Sequence, residues 1–268
     1  MEIRASGITV NYGVRKALDD VAFTARAGEL AAIVGPNGSG KTTLLNALTG
    51  EIRHRGRVEI NGRDMARISS PDLARLRAVL PQSGSISFPF TVLELVRLGL
   101  TAGLASARIE DHDSLPMRAI EKVGLRGYEG RLVQQLSGGE RQRAQLARVL
   151  VQIWEPVLDG SPRWLFLDEP VSALDIAHQL QVMQMARDYA RAGGGVIAVM
   201  HDLNLTAMFA DHVLLMMQGR ERAAGRPAEV LNDNDLSICY GCKLRTNTKP
   251  PADGPWILPQ ASGWAATR

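Results

Sequence analysis

The sequence predicts an α/β fold whose sheet order is interrupted by a helical block, and three observations carry that expectation. Residues 29–34, apolar from Leu30 on, read as a short buried strand that leads through Gly35-Pro36-Asn37-Gly38-Ser39-Gly40-Lys41-Thr42 into Thr43-Leu44-Leu45-Asn46-Ala47-Leu48, a strand–loop–helix order. Two more apolar runs of strand length, 164–167 and 196–200, flank a helical stretch from about Asp175 to Ala192, closed by Gly193-Gly194-Gly195. Between these sheet-forming parts, residues 83 to about 150 change to helical spacing and read as an inserted subdomain.

From the N-terminus, residues 7–13 are expected to be an edge strand ending at a glycine turn. Residues 18–25 alternate apolar and polar side chains (Val21, Phe23, Ala25), the mark of a half-buried strand. Arg57-Val58-Glu59-Ile60 closes on an Asn61-Gly62 turn; Pro71 opens a short helix through Leu76; Ala78-Val79-Leu80 is a buried strand running into Pro81-Gln82. In the helical block, Val92, Leu95, Val96 and Gly99 share one face, and Met117, Ile120 and Val123 another. Leu146, Val149 and Leu150 belong to a third helix that starts near Ser137, while 101–115 lacks periodicity and reads as loop. After the strand 196–200, which leads to His201, come a helix from Asn204 to Ala210, a strand from Val213 to Met217 and a turn at Gly219. From about Lys249 the chain is rich in Pro, Gly and Ala, with one apolar patch at Trp256-Ile257-Leu258-Pro259, and is expected to be loosely attached or docked on its own.

At 268 residues the chain can bury a sizeable core, and its apolar (45%) and charged (22%) fractions are those of an ordinary globular protein. No apolar run reaches the ~18 residues that a membrane span needs. The N-terminus opens directly into strand-like sequence, so no signal peptide is expected. Cys239 and Cys242 are too few for a disulfide framework, which suits the cytosol. They supply only two thiolates with no second pair, and no His follows Cys242, so neither a closed zinc site nor covalent haem attachment is expected. The net charge of +3 comes with scattered arginines, and no nucleic-acid partner is expected.

The stretch 35–42 fits G-x-x-x-x-G-K-[ST], the phosphate-binding loop, in the strand–loop–helix context that the motif requires. Its glycines let backbone N–H groups wrap phosphate oxygens at a helix N-terminus. Lys41 is placed to reach the β- and γ-phosphates, and the Thr42 hydroxyl to ligate Mg²⁺. A second feature is the acidic pair Asp168-Glu169 leaving the buried strand at 165–167. Such a pair sets one carboxylate at a Mg²⁺ shell and the next at an attacking water. The third is Leu136-Ser137-Gly138-Gly139-Glu140, a Ser-Gly-Gly turn opening a helix. A second anion-binding helix N-terminus in one chain implies two nucleotide sites shared across a dimer.

With these residues the chain resembles the ATP-binding cassette (ABC) family over nearly its whole length, in the family's order: Walker A at 35–42, the Q-loop at Gln82, the signature at 136–140, Walker B at 165–168 followed by Glu169, the D-loop Ser172-Ala173-Leu174-Asp175, and the switch histidine His201. The resemblance implies a P-loop NTPase nucleotide-binding domain over 1–248, with an antiparallel β subdomain and an inserted helical subdomain at about 83–150, followed by a tail at 249–268. It implies ATP bound by Gly35, Pro36, Asn37, Gly38, Ser39, Gly40, Lys41, Thr42, Thr43 and Gln82, with Tyr12 stacked on the adenine. It implies Mg²⁺ held by Thr42, Gln82 and Asp168. By the same resemblance Glu169 is expected to polarise the attacking water and His201 to meet the γ-phosphate, with Lys41 completing the catalytic set. Ser137, Gly138, Gly139 and Asp175 are expected to act on the nucleotide of the opposite subunit.

One cassette without a membrane span resembles the separately encoded ATPase subunits of bacterial uptake systems. That implies a homodimer docked on two permease subunits at the cytoplasmic face of the cell membrane, with a coupling helix seated near Gln82 and the apolar run at 87–90. A soluble repair or translation ATPase is the competing class, but this chain has neither a long coiled-coil insertion nor a tandem cassette. Leu80-Pro81-Gln82, Phe88-Pro89-Phe90-Thr91-Val92 through Gly99, and the Trp/Pro/Gly-rich link at 153–164 resemble the iron-chelate and cobalamin branch, in particular its haemin ATPases. The implied cargo is haemin, delivered by a periplasmic or surface haem-binding protein, with ferric siderophore or cobalamin as the alternative. As a loop extension, 153–164 could equally be neutral.

Overall fold

The computed structural model of the chain describes residues 1–82, 88–102, 113–249, 254–255 and 257–261. Its first strands, β1 (Glu2–Tyr12), β2 (Arg15–Arg26), β4 (Arg55–Ile60) and β5 (Arg63–Asp64), form an antiparallel sheet in the order β2-β1-β4-β5. The expected edge strand at 7–13 is therefore interior: β1 begins at Glu2 and pairs with β2 on one side and β4 on the other. Ile3, Ala5, Ile8 and Val10 are all buried, but a register shift between Ala5 and Ile8 breaks the alternation and hides the first half of the strand from a reading by period.

The second sheet runs β12-β11-β3-β10-β9-β6, from β3 (Leu30–Val34), β6 (Arg77–Leu80), β9 (Trp164–Asp168), β10 (Gly195–Val199), β11 (His212–Met217) and β12 (Arg220–Gly225). All neighbours are parallel except β12, which closes one edge antiparallel to β11. β3, β9 and β10 are buried at every position, as strands covered on both faces must be. Ala31, Ile33, Trp164, Phe166, Ile197 and Val199 face α1 (Lys41–Thr49) and the antiparallel sheet. Their alternates Leu30, Ala32, Leu165, Leu167, Val196 and Ala198 face the helices of the other side.

Those helices are α3 (Val92–Ala102), α4 (Leu115–Lys122), α5 (Gly138–Gln152) and α6 (Ile176–Arg191); α2 (Ser70–Leu76) precedes β6, opened by a Ser69 cap. The face expected on α3 is buried, and so is the one on α5. On α4 the stripe is Leu115, Pro116, Ala119 and Ile120, continued by Val123, so Met117 lies outside it and is 44% exposed. Thr101 belongs to the last turn of α3; most of the loop expected there, 103–112, lies outside the described residues. α7 (Leu203–Phe209) is followed, beyond β11 and β12, by α8 (Pro227–Val230) and α9 (Asp233–Tyr240). Cys239 is buried on α9 and Cys242 exposed after it, both as free thiols. From the tail, a single turn at Pro259–Ala261 lies on α7, where the Gln260 amide donates to Asn204 O (3.3 Å) and Oδ1 (3.2 Å).

The link at 153–164 is a built element. Asp159 (φ 50°) and Gly160 (φ 74°) turn a hairpin of β7 (Val157–Leu158) and β8 (Ser161–Pro162). Fully buried Arg163 donates to the carbonyls of Arg75 (2.8 Å) and Gln152 (2.6 Å). Asn61, in the Asn61-Gly62 turn of the other sheet, donates to Pro162 O (2.9 Å) and accepts from Trp164 Nε1 (3.0 Å).

Register fixes what stands next to what. Ile33 on β3 and Asp168 on β9 both lie opposite Val199 on β10, and Leu80 on β6 lies opposite Leu167. Four strands thus end level, and the segments leaving them form a row: the glycine-rich loop, His201, Asp168-Glu169 and Gln82.

Candidate nucleotide site

The loop after β3 is shaped by what it must pass. Gly35 has φ 148°, and a Cβ there would lie 2.2 Å from the Met216 carbonyl oxygen on β11, so only glycine fits. α1 starts at Gly40 in left-handed backbone, with no side-chain cap and no acidic residue in its first turn. Its first intrahelical bond is Leu44 N–H to Gly40 O (2.8 Å), so the N–H groups of Lys41, Thr42 and Thr43 have no acceptor within the helix and point out of its positive end. They border a cavity of about 570 Å³ lined by Asn37, Gly38, Gly40, Lys41, Thr42, Thr43, Gln82, Glu169 and His201.

Lys41 is buried and folds back over the loop, its Nζ donating to Gly35 O (2.9 Å) and Pro36 O (3.0 Å). Burial lowers the pKa of its ammonium, against the opposing charges of Glu169 and Asp168. The Ser39 hydroxyl is buried without a hydrogen-bond partner among the described residues. Thr42 Oγ1 donates to Asp168 Oδ1 at 3.3 Å, and burial, with the Glu169 charge adding to it, pushes the Asp168 carboxyl up to about 6. A hydroxyl and a carboxylate so placed are hard oxygen donors of the kind that Mg²⁺ takes. The residues present fit that ion and a polyphosphate.

Glu169 leaves β9 in left-handed backbone (φ 50°), and its side chain is 13% exposed. His201 Nε2 lies 2.5 Å from Glu169 Oε1, so the imidazole holds the carboxylate at the cavity wall. The Glu169 N–H donates to Val199 O (3.1 Å), and its carbonyl accepts from the Gln142 side-chain amide (2.9 Å).

The N-terminus of α5 is capped from within: Ser137 Oγ accepts from the Glu140 N–H (3.3 Å), and Glu140 Oε2 from the Ser137 N–H (2.8 Å). Gly139 has a reason of its own to lack a side chain, since a Cβ would stand 3.0 Å from the Ala173 carbonyl oxygen. Asp175 caps α6 through the His178 N–H (2.9 Å), and His178 Nδ1 meets both its oxygens at 2.8 and 2.9 Å.

The family model for ABC transporters matches residues 18–172. The chain belongs to the ABC transporter family. It is similar to the hemin import ATP-binding protein HmuV of Jannaschia sp. (strain CCS1), with 58% identity over 257 residues, 96% of this chain and 94% of that protein. The protein of the same name from Roseobacter denitrificans (strain ATCC 33942 / OCh 114) is 54% identical over 98% of this chain and 99% of its own length. Among solved structures, the ADP conformation of MJ1267, an ATP-binding cassette of an ABC transporter, superposes with a TM-score of 0.75 at 25% identity, covering 90% of this chain and 98% of that one. The fold is that of an ABC ATPase, and the chain is an ATP-hydrolysing transporter subunit.

Within this ABC cassette the loop, Lys41, Thr42, Thr43, Gln82, Asp168, Glu169 and His201 come together as one group. Ser137, Gly138, Gly139 and Asp175 do not line the cavity of their own chain, and neither does Tyr12, which is 56% exposed at the end of β1. Gln142 was not legible as a site residue: its contact partner lies 27 positions away, and a glutamine between two arginines carries no local signal.

Proposed function

We propose that the chain is the ATPase subunit of a haemin importer, working as a homodimer on two permease subunits at the cytoplasmic face of the cell membrane. The observation that carries the cargo is the 58% identity, across 96% of the chain, to a hemin import ATP-binding protein; for the chemistry it is the row of side chains at the level ends of β3, β10, β9 and β6. A periplasmic or surface haem-binding protein supplies the haemin to the permease.

Gly35, Pro36, Asn37, Gly38, Ser39 and Gly40 cradle the phosphates, with the free first-turn N–H groups of α1 as donors. Lys41 exchanges the Gly35 and Pro36 carbonyls for β- and γ-phosphate oxygens, and Thr43 lies beside the same phosphates. Thr42, Gln82 and Asp168 hold Mg²⁺, which supplies charge neutralisation on the phosphate oxygens. Glu169 orients the attacking water and accepts its proton. His201 holds the Glu169 carboxylate toward that water and touches the γ-phosphate. Tyr12 stacks on the adenine, which its exposure allows. Ser137, Gly138, Gly139 and Asp175, absent from the cavity of their own chain, complete the site of the partner subunit.

The test joins chemistry to cargo. Growth on haemin as sole iron source requires both Lys41 and Glu169, so Lys41→Ala and Glu169→Gln both abolish it, the first by losing nucleotide binding and the second by losing about 10²–10⁴-fold in hydrolysis with nucleotide still bound. Growth on haemin that survives Lys41→Ala while siderophore uptake stops overturns the cargo and leaves the cassette chemistry standing.

A further inference from the structure

We infer that Gln142, on the helix that carries the Ser137 cap, is the positioning residue for Glu169 of its own chain and so links α5 to the hydrolytic site. The inference rests on the reading of Glu169 as the residue that activates water. Glu169 is a side-chain-bearing residue in left-handed backbone, a conformation that persists only where surrounding contacts impose it. Its carbonyl accepts from Ser172 Oγ (3.2 Å) and Ser172 N–H (3.4 Å), contacts that come with the local turn, and from Gln142 Nε2 at 2.9 Å.

The Gln142 contact is of another kind. It reaches from the helical block to the end of β9, and it is the one bond here that a movement of α5 would strain. A carbonyl can only accept, so the atom facing it is the amide nitrogen; the other end, Oε1, is buried with no partner among the described residues. The Gln142 amide is thus committed to the Glu169 peptide rather than to a polar network. Fixing that carbonyl fixes the peptide plane after Glu169 and with it the direction of the Cα–Cβ bond, whose carboxylate meets His201 at 2.5 Å. At its start the same helix packs Gly139 against Ala173 of the D-loop. When the N-terminus of α5 engages the partner's nucleotide, Gln142 carries the displacement of the helix to the catalytic glutamate of the opposite composite site.

The experiment uses the full chain assembled with its permease and compares Gln142→Met, which keeps length and loses the donor, with Gln142→Glu, which sets an acceptor against the carbonyl. Both should lower kcat about 10- to 100-fold while the Kd for ATP stays within about twofold. Adding Gln142→Met to Glu169→Gln should change the residual rate by less than about twofold, because the group that Gln142 orients is already gone. Should Gln142→Met fail to fold, Gln142→Glu, which conserves shape, carries the same comparison. Wild-type kcat in a folded variant overturns the inference, as does a further full-sized loss in the double variant. If Glu169→Gln alone turns over normally, it is the assignment of Glu169 that fails; if Glu169→Gln is dead and Gln142→Met is fully active, only the positioning role is lost.

Discussion

Asp168 is held under strain of an electrostatic kind. Burial raises its carboxyl from 3.8 to about 6, although Thr42 donates to it and Lys41 and His201 oppose the shift. A carboxyl whose folded value lies above its unfolded one favours the protonated folded form, so its contribution to stability is full below the unfolded value and is lost as pH rises through 6. A divalent cation reverses that sign, because it needs the carboxylate deprotonated. Mg²⁺-ATP affinity should therefore fall on the acid side of about pH 6, by up to about tenfold per unit, over and above the titration of ATP itself. Isothermal titration across pH 5–8 checks this against Asp168→Asn, which binds weakly and should lack the extra acid limb. An identical acid limb in both proteins would mean that Asp168 is not a ligand.

At the scale of elements, the sequence made legible what is local and periodic. The loop at 35–42, the strand-ending pair Asp168-Glu169 and the faces of α3 and α5 are all written in consecutive or helically spaced residues. β1 escaped in part because its bulge resets the alternation, and Met117 was misplaced because α4 takes its stripe from Leu115 and Pro116, just before it. β12, α8 and α9 were missed for a different reason. Arg220-Glu221-Arg222 is polar on both faces of an edge strand, and α9 buries only Leu236 and Cys239, so neither has an apolar period to read. The hairpin at 157–162 did carry a signal in Asp159-Gly160, but its attachment through Asn61 and Trp164 spans 103 positions and could not be read. That attachment is testable. Asn61→Gly keeps the left-handed backbone and removes the amide that serves Trp164 Nε1 and Pro162 O. It should cost about 1–3 kcal/mol in chemical denaturation, with kcat within about twofold. A loss of activity without a loss of stability would show that the hairpin acts on the site instead of on the fold.

For the whole molecule, the proposed sharing of two sites between two chains is motivated by which residues one chain keeps out of its own cavity. Glu169, Lys41 and His201 line the cavity, while Ser137, Gly139 and Asp175 of the same chain stand apart from it. Lys41→Ala and Ser137→Arg homodimers should each be inactive with the permease. Mixed dimers hold one intact composite site and one doubly broken, so a mixture should recover at most about a quarter of wild-type hydrolysis. A Ser137→Arg homodimer with normal turnover would remove Ser137 from the site.

The assembled transporter tests the central claim most directly: ATP hydrolysis by this chain with its own permease in lipid, measured with and without a haemin-loaded binding protein. The expected result is a rate that rises with the haemin-loaded protein, does not rise with a siderophore-loaded one, and disappears in Lys41→Ala. Stimulation by a siderophore-loaded protein alone, or the absence of any membrane protein that co-purifies with the chain, would contradict it.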